Sequence, residues 1–78
     1  MKDRKPLDST ESAARRISEK EDGPWYIMLR RGSNDVVVPE CELSRMMRIG
    51  YKTACVWFRG KRYKDILCLS DGVHFVTE

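Results

Sequence analysis

Three cysteines and one histidine are the residues of this chain best suited to covalent or metal chemistry. Cys41, Cys55 and Cys68 stand fourteen and thirteen residues apart, with no close pair of the kind that opens a zinc site. Unpaired thiols so placed are expected to be reduced and half-buried. His74 is the sole imidazole, so Cys-His catalysis or a histidine-rich cage lacks partners, and a surface or half-buried ring is expected. The carboxylates are scattered, no glycine-rich phosphate loop is present, and no serine or cysteine has an identifiable base. The residue pattern therefore calls for no enzyme, no cofactor and no metal.

Binding chemistry is better supplied. Residues 1–22 hold six bases and six acids, whereas residues 45–64 hold seven bases (Arg45, Arg48, Lys52, Arg59, Lys61, Arg62, Lys64) and no acid. A local field of that sign, in a chain of net charge +3, suits a polyanion, because neutralised phosphates supply most non-specific nucleic-acid affinity. The plainer reading is a solvated basic face that keeps a small protein soluble. The chain of 78 residues, 41% hydrophobic and 35% charged, has the composition of one globular domain with a thin core. No apolar run approaches a membrane span or a signal-peptide core, which leads to the expectation of a cytoplasmic protein without a membrane partner.

The elements that must carry these side chains follow from the apolar pattern. Residues 1–22 have only Leu7, Ala13, Ala14 and Ile17 as apolar residues after the initial methionine, which predicts a mobile or weakly docked segment. Asp8 followed by Glu11 would cap a short helix there. Residues 23–78 are expected to form a single small globular domain. Residues 25–29 are strand formers, and "GSND" is a turn, which together predict a hairpin with residues 36–38. Asp22, Pro24 and Gly32 would equally bracket a short helix. "PECELSRMMRIG" predicts a helix: Pro39 suits its first turn, Glu40 and Glu42 its positive end, Arg45 and Arg48 its negative end, and Gly50 a stop. Leu43, Met46 and Met47 place an apolar stripe on one face.

The spacing after Gly50 fits a helix-turn-helix. Ser44 is small where two helices would cross, Met47 and Ile49 flank the turn, and Ala54 and Trp57 would face inward from a second helix. Tyr51, Lys52, Cys55, Val56 and Arg59 would then face outward. In that frame Lys52, Lys61 and Arg62 position phosphates, while Arg59, with Tyr51 and Val56, contacts bases. "ELSRMMRIGYKTACVW" resembles the helix-turn-helix of phage and transposon proteins. "VWFRGKRYK" is similar to the third helix of homeodomains, although Gly60 stands where those proteins keep an adenine-reading asparagine. Residues 36–77 resemble, in order of parts, the winged helix-turn-helix of phage excisionases and related small regulators. That resemblance implies a small α+β winged helix with a C-terminal β-hairpin, residues 66–69 and 73–76 joined by "SDG", as its wing. It also implies binding to double-stranded DNA as a transcriptional regulator or a recombination accessory factor.

The same residues support an antiparallel sheet carrying one helix. Residues 52–59, 62–69 and 73–77 would form a meander with turns at Gly60-Lys61 and Asp71-Gly72. Thr53, Cys55, Val56, Trp57 and Phe58 are good strand formers and poor helix formers. A protein of that shape would be a β-rich protein-binding module or inhibitor of the kind mobile elements encode, docking its basic hairpin on an acidic protein.

Overall fold

The computed structural model describes residues 5–77, and of Cys68 and Leu69 the backbone alone. Its elements are α1 (Asp8–Lys20), β1 (Trp25–Leu29), β2 (Val36–Pro39), a 3-10 turn (Glu40–Glu42), α2 (Leu43–Arg48), β3 (Lys52–Phe58), β4 (Lys61–Tyr63), β5 (Asp65–Leu69) and β6 (Gly72–Val76). The first four strands form one sheet in the order β2-β1-β3-β4, and β5-β6 form a separate hairpin. All pairings are antiparallel. The expected α+β class, the first hairpin and the C-terminal hairpin are therefore present.

The recognition helix expected over residues 51–59 is not. Those residues form β3, which pairs with β1 through Trp25↔Trp57, Tyr26↔Val56 and Ile27↔Cys55. Alternation decides the matter, since a period of two puts Cys55 and Trp57 on one face and Val56 on the other, each against its own core. The register shifts between Ile27 and Met28, so that Ile27 faces Cys55 while Met28 faces Thr53. Ala54 is the extra residue of this bulge and packs beside Cys55 instead of alternating away from it. Phe58 then pairs with Lys61, leaving Arg59 and Gly60 as a two-residue turn with φ of 51° and 78°. Two successive left-handed residues are what a tight hairpin of matching twist requires.

Each face of the sheet buries one cluster. On one, Ile27 and Cys55, with Val37 and Trp57 beside them, receive α1 through Ala14. On the other, Tyr26, Met28, Val38 and Val56 receive Leu43 and Met46 of α2 together with Ile66 and Phe75 of the second hairpin. Phe75 stacks on Phe58 at 4.8 Å and lies 4.6 Å from Tyr63. The sheet is thus the middle layer between α1 and the pair formed by α2 and the hairpin.

Within the N-terminal segment, expected to be mobile or weakly docked, Asp8–Lys20 form a helix that lies on the sheet; residues 1–4 lie outside the described residues. Few apolar residues suffice because the contact is made by small ones. Ala14 and Ser18, one turn apart, are both buried and let the helix approach the sheet closely. The Ser18 hydroxyl donates to the Arg15 carbonyl at 2.9 Å and accepts the Gly60 N–H at 3.0 Å. Nor does Asp8 cap the helix: Leu7 is the N-cap and has no side-chain cap bond. Asp35, from the β1-β2 turn, takes that part by accepting from the Leu7 N–H at 2.9 Å and the Thr10 hydroxyl at 3.2 Å. The helix expected from Pro39 is shorter than its sequence pattern, with Pro39 ending β2 and only Leu43–Arg48 fully α-helical.

Candidate nucleic-acid interface

A seven-residue strand now runs through the basic stretch. At about 3.4 Å per residue, β3 holds its ends roughly 20 Å apart. Lys52 opens β3 and Arg48 closes α2 shortly before it, at one end of the sheet, while Arg59 and Lys61 sit at the other; Arg45, earlier in α2, is paired with Glu42. The two ends differ in what surrounds them. At the far end the Arg59-Gly60 turn rests on α1 beside Glu19, where a carboxylate is at hand. Farther along that side Arg62 is bound to Glu11 of α1 at 2.8 Å.

The near end gathers bases that are remote in sequence. Leu29 pairs with Lys52, so the β1-β2 turn carries Arg30 and Arg31 beside the start of β3. The end of α2 reaches the same place. Its terminus is closed by two reverse bonds, Gly50 N–H to the Met47 carbonyl at 3.1 Å and Tyr51 N–H to the Met46 carbonyl at 3.0 Å. Gly50, at φ 102°, occupies the left-handed position such a stop needs. Arg30 completes the lock: its guanidinium donates to the Ile49 carbonyl at 3.0 Å and lies 5.0 Å over the Tyr51 ring. Arg31, Arg48 and Lys52 make no ion pair among the described residues. Among the described residues the acids toward this end include Asp35, engaged with the start of α1, and Asp8 and Glu11 in its first turn, Glu11 being held by Arg62. Met47 and Ile49, on either side of Arg48 in sequence, are both exposed.

The six residues expected to touch DNA do not form one surface. Val56 is wholly buried in the core, which corrects its assignment as a base contact. Tyr51 is half-buried beneath Arg30, and Arg62 is held by Glu11. Lys52 is exposed at the near end, while Arg59, lying over the Phe58 ring at 5.1 Å, and Lys61 are exposed at the far end. Arg30 and Arg31 were not among the expected residues. Their signal was the paired arginines directly before "GSND", which a hairpin places at a sheet end.

Elsewhere the chemistry is sparse. Cys41 is exposed and Cys55 buried, both free. Burial raises the Cys55 thiol above its ordinary pKa, and the nearby Arg62 charge opposes that rise. His74 pairs with Asp71 at 2.9 Å on the exposed second hairpin. No group of three or more metal-ligating side chains occurs among the described residues, and no described helix is long and apolar enough to cross a membrane. An apolar cavity of about 260 Å³ lies between the second hairpin and the sheet, lined by Tyr26, Phe58, Phe75 and neighbours. No family model matches the chain, and searches of curated proteins and of solved structures return no match.

Proposed function

We propose that this chain is a small DNA-binding accessory protein, of the recombination or transcription-regulating kind, that holds the duplex by its phosphates with the near end of the sheet. The observation that carries this reading is that Arg31, Arg48 and Lys52, three cations without an ion pair among the described residues, stand at one end of the sheet, Lys52 on the face of Leu29 and Arg48 on α2 across the sheet. With β3 in place of a recognition helix, base reading through Arg59 and Val56 drops out, and binding is dominated by phosphate contacts. The wing of the excisionase-like reading is retained only as the β5-β6 hairpin, whose tip presents Asp71 and is a poor phosphate contact.

Mobility shifts and fluorescence anisotropy on duplexes of unrelated sequence test the proposal. Binding is expected at low salt with little sequence preference, and log K should fall with log salt at a slope near −2.7, about −0.9 for each of three phosphates. No duplex binding at low salt, together with capture of a protein partner that survives nuclease treatment, would replace it with the protein-binding module.

A further inference from the structure

The cavity between the second hairpin and the sheet lies at the far end, away from Lys52 and Arg31. Trp25 pairs with both Pro39 and Trp57, so the next residues along, Pro24, Glu40 and Phe58, close that end of the sheet in one row. Across from them Ile66 and Phe75 of the hairpin are packed on the sheet. Val73, two residues before Phe75 and therefore on the same face, stays 56% exposed. These residues line both sides of a space that the described side chains leave unfilled. We propose that the cavity is a binding site for a small aromatic ammonium compound, a ring on a short chain that ends in a positive nitrogen. The inference is independent of the DNA-binding reading above.

Size, ring geometry and one carboxylate set that chemistry. At about 260 Å³ the space exceeds the roughly 150 Å³ that suffices for benzene in an engineered apolar cavity, which leaves room for a short chain besides a ring. The phenylalanines of the lining already have their faces in use. Phe75 stacks on Phe58 at 4.8 Å and lies 4.6 Å from Tyr63, while the Arg59 guanidinium is 5.1 Å over the Phe58 ring. What Phe58 and Phe75 offer the cavity is therefore their edges, whose positive rims attract the negative face of another ring and not a bare cation. Glu40 is the one carboxylate of the lining. It is exposed and has no ion pair among the described residues, whereas its neighbour Glu42 is taken up by Arg45. A single charged group beside an otherwise apolar space fixes the orientation of a ligand, with the ring inside and the ammonium at the carboxylate.

The test is titration of the full chain with 2-phenylethylamine, 3-phenylpropionate and hexylamine, each to about 10 mM, a range suited to ligands of so few atoms. Binding is read from the methyl shifts of Ile66 and Val73 and the amide shifts of Glu40 and Phe75. 2-Phenylethylamine should shift these resonances saturably. Hexylamine, which lacks the ring, and 3-phenylpropionate, which carries the opposite charge, should each bind at least about twofold more weakly. Glu40→Gln, with the circular dichroism of the parent, should weaken 2-phenylethylamine by about two- to fivefold and leave 3-phenylpropionate no weaker than before. The site is overturned if 2-phenylethylamine produces no saturable shift at these residues, if either of the other compounds binds as tightly, or if Glu40→Gln leaves its affinity unchanged.

Discussion

Replacing Gly60 by Ala should destabilise the protein by about 1–1.5 kcal/mol. Gly60 sits at φ 78°, where a Cβ meets the following carbonyl and costs about 1 kcal/mol. The added carbon would also lie 2.8 Å from the Glu19 Cγ. That side chain is 56% exposed and its ion partner Arg15 is 3.9 Å away, so it swings aside at small further cost. The Ser18 bond to the Gly60 N–H can survive. For a domain of this size the loss corresponds to a fall in Tm of about 4–12 °C, read by circular dichroism melting. Gly60→Ala in a Glu19→Ala background should cost nearly as much, which isolates the backbone contribution from the clash. The sign makes the measurement decisive: a glycine inside a helix gains about 1 kcal/mol on replacement by alanine. A variant as stable as the parent, or more so, refutes the left-handed turn and with it the strand assignment of residues 52–58.

Val56→Ala should cost about 2 kcal/mol in urea unfolding, from two buried methyl groups and the space they leave, with a far-UV spectrum like the parent's; an exposed Val56 would lose almost nothing. Arg31→Ala should reduce the salt slope of DNA binding by about 0.9 at unchanged stability, whereas Arg59→Ala and Lys61→Ala at the opposite end should leave the slope unaltered. Arg30→Ala should lower stability by about 1 kcal/mol, because it removes a charged bond to the Ile49 carbonyl and the contact over Tyr51. In native alkylation read by peptide mass spectrometry, Cys41 should label at once and Cys55 only on unfolding. The raised Cys55 pKa means the unfolded chain loses that proton first, so its contribution is full below its ordinary value of 9.0 and is lost as pH rises through the higher folded value. Cys55→Ala should flatten the alkaline fall in stability, and an unchanged pH profile would count against the buried thiol.

Much of the topology was legible because turn chemistry is local. "GSND", Gly60 and "SDG" each mark a hairpin, and all three hairpins formed. What misled was the coincidence of two periods. Ala54 and Trp57, three apart, read as the inward face of a helix, yet they share a sheet face because the bulge at Ala54 shifts the alternation by one. A bulge depends on the partner strand and leaves no mark in a single segment. The docking of α1 was hidden for a related reason: Ala14 and Ser18 look too weak to hold a helix until Gly60, forty-two residues away from Ser18, offers a backbone N–H to the serine. The binding surface was half legible. A run of bases is visible along the chain, but which of them face the same way depends on β3, which separates the run and brings Arg30 and Arg31 to one part of it.

That separation bears on why the charges are where they are. The negative end of α2 accounts for one neighbouring cation, since Arg30 is spent on the Ile49 carbonyl and the Tyr51 ring, and a favourable helix end is worth about 0.3–1 kcal/mol. It does not account for Arg31, in the β1-β2 turn, or Lys52, at the start of β3, which bond to no helix carbonyl. Like charges about 8–10 Å apart in water repel by roughly 0.4–0.5 kcal/mol before salt screening, so gathering them gains the fold nothing and costs little. The far end shows the contrast: Arg62 is tied to Glu11 and the Arg59 turn rests on α1, which reads as charge used for folding. At the near end Asp35 is engaged with the start of α1, and Arg31, Arg48 and Lys52 are left without an ion pair among the described residues. Charge that folding leaves unpaired at one end of the sheet is what the proposed phosphate contacts would draw on.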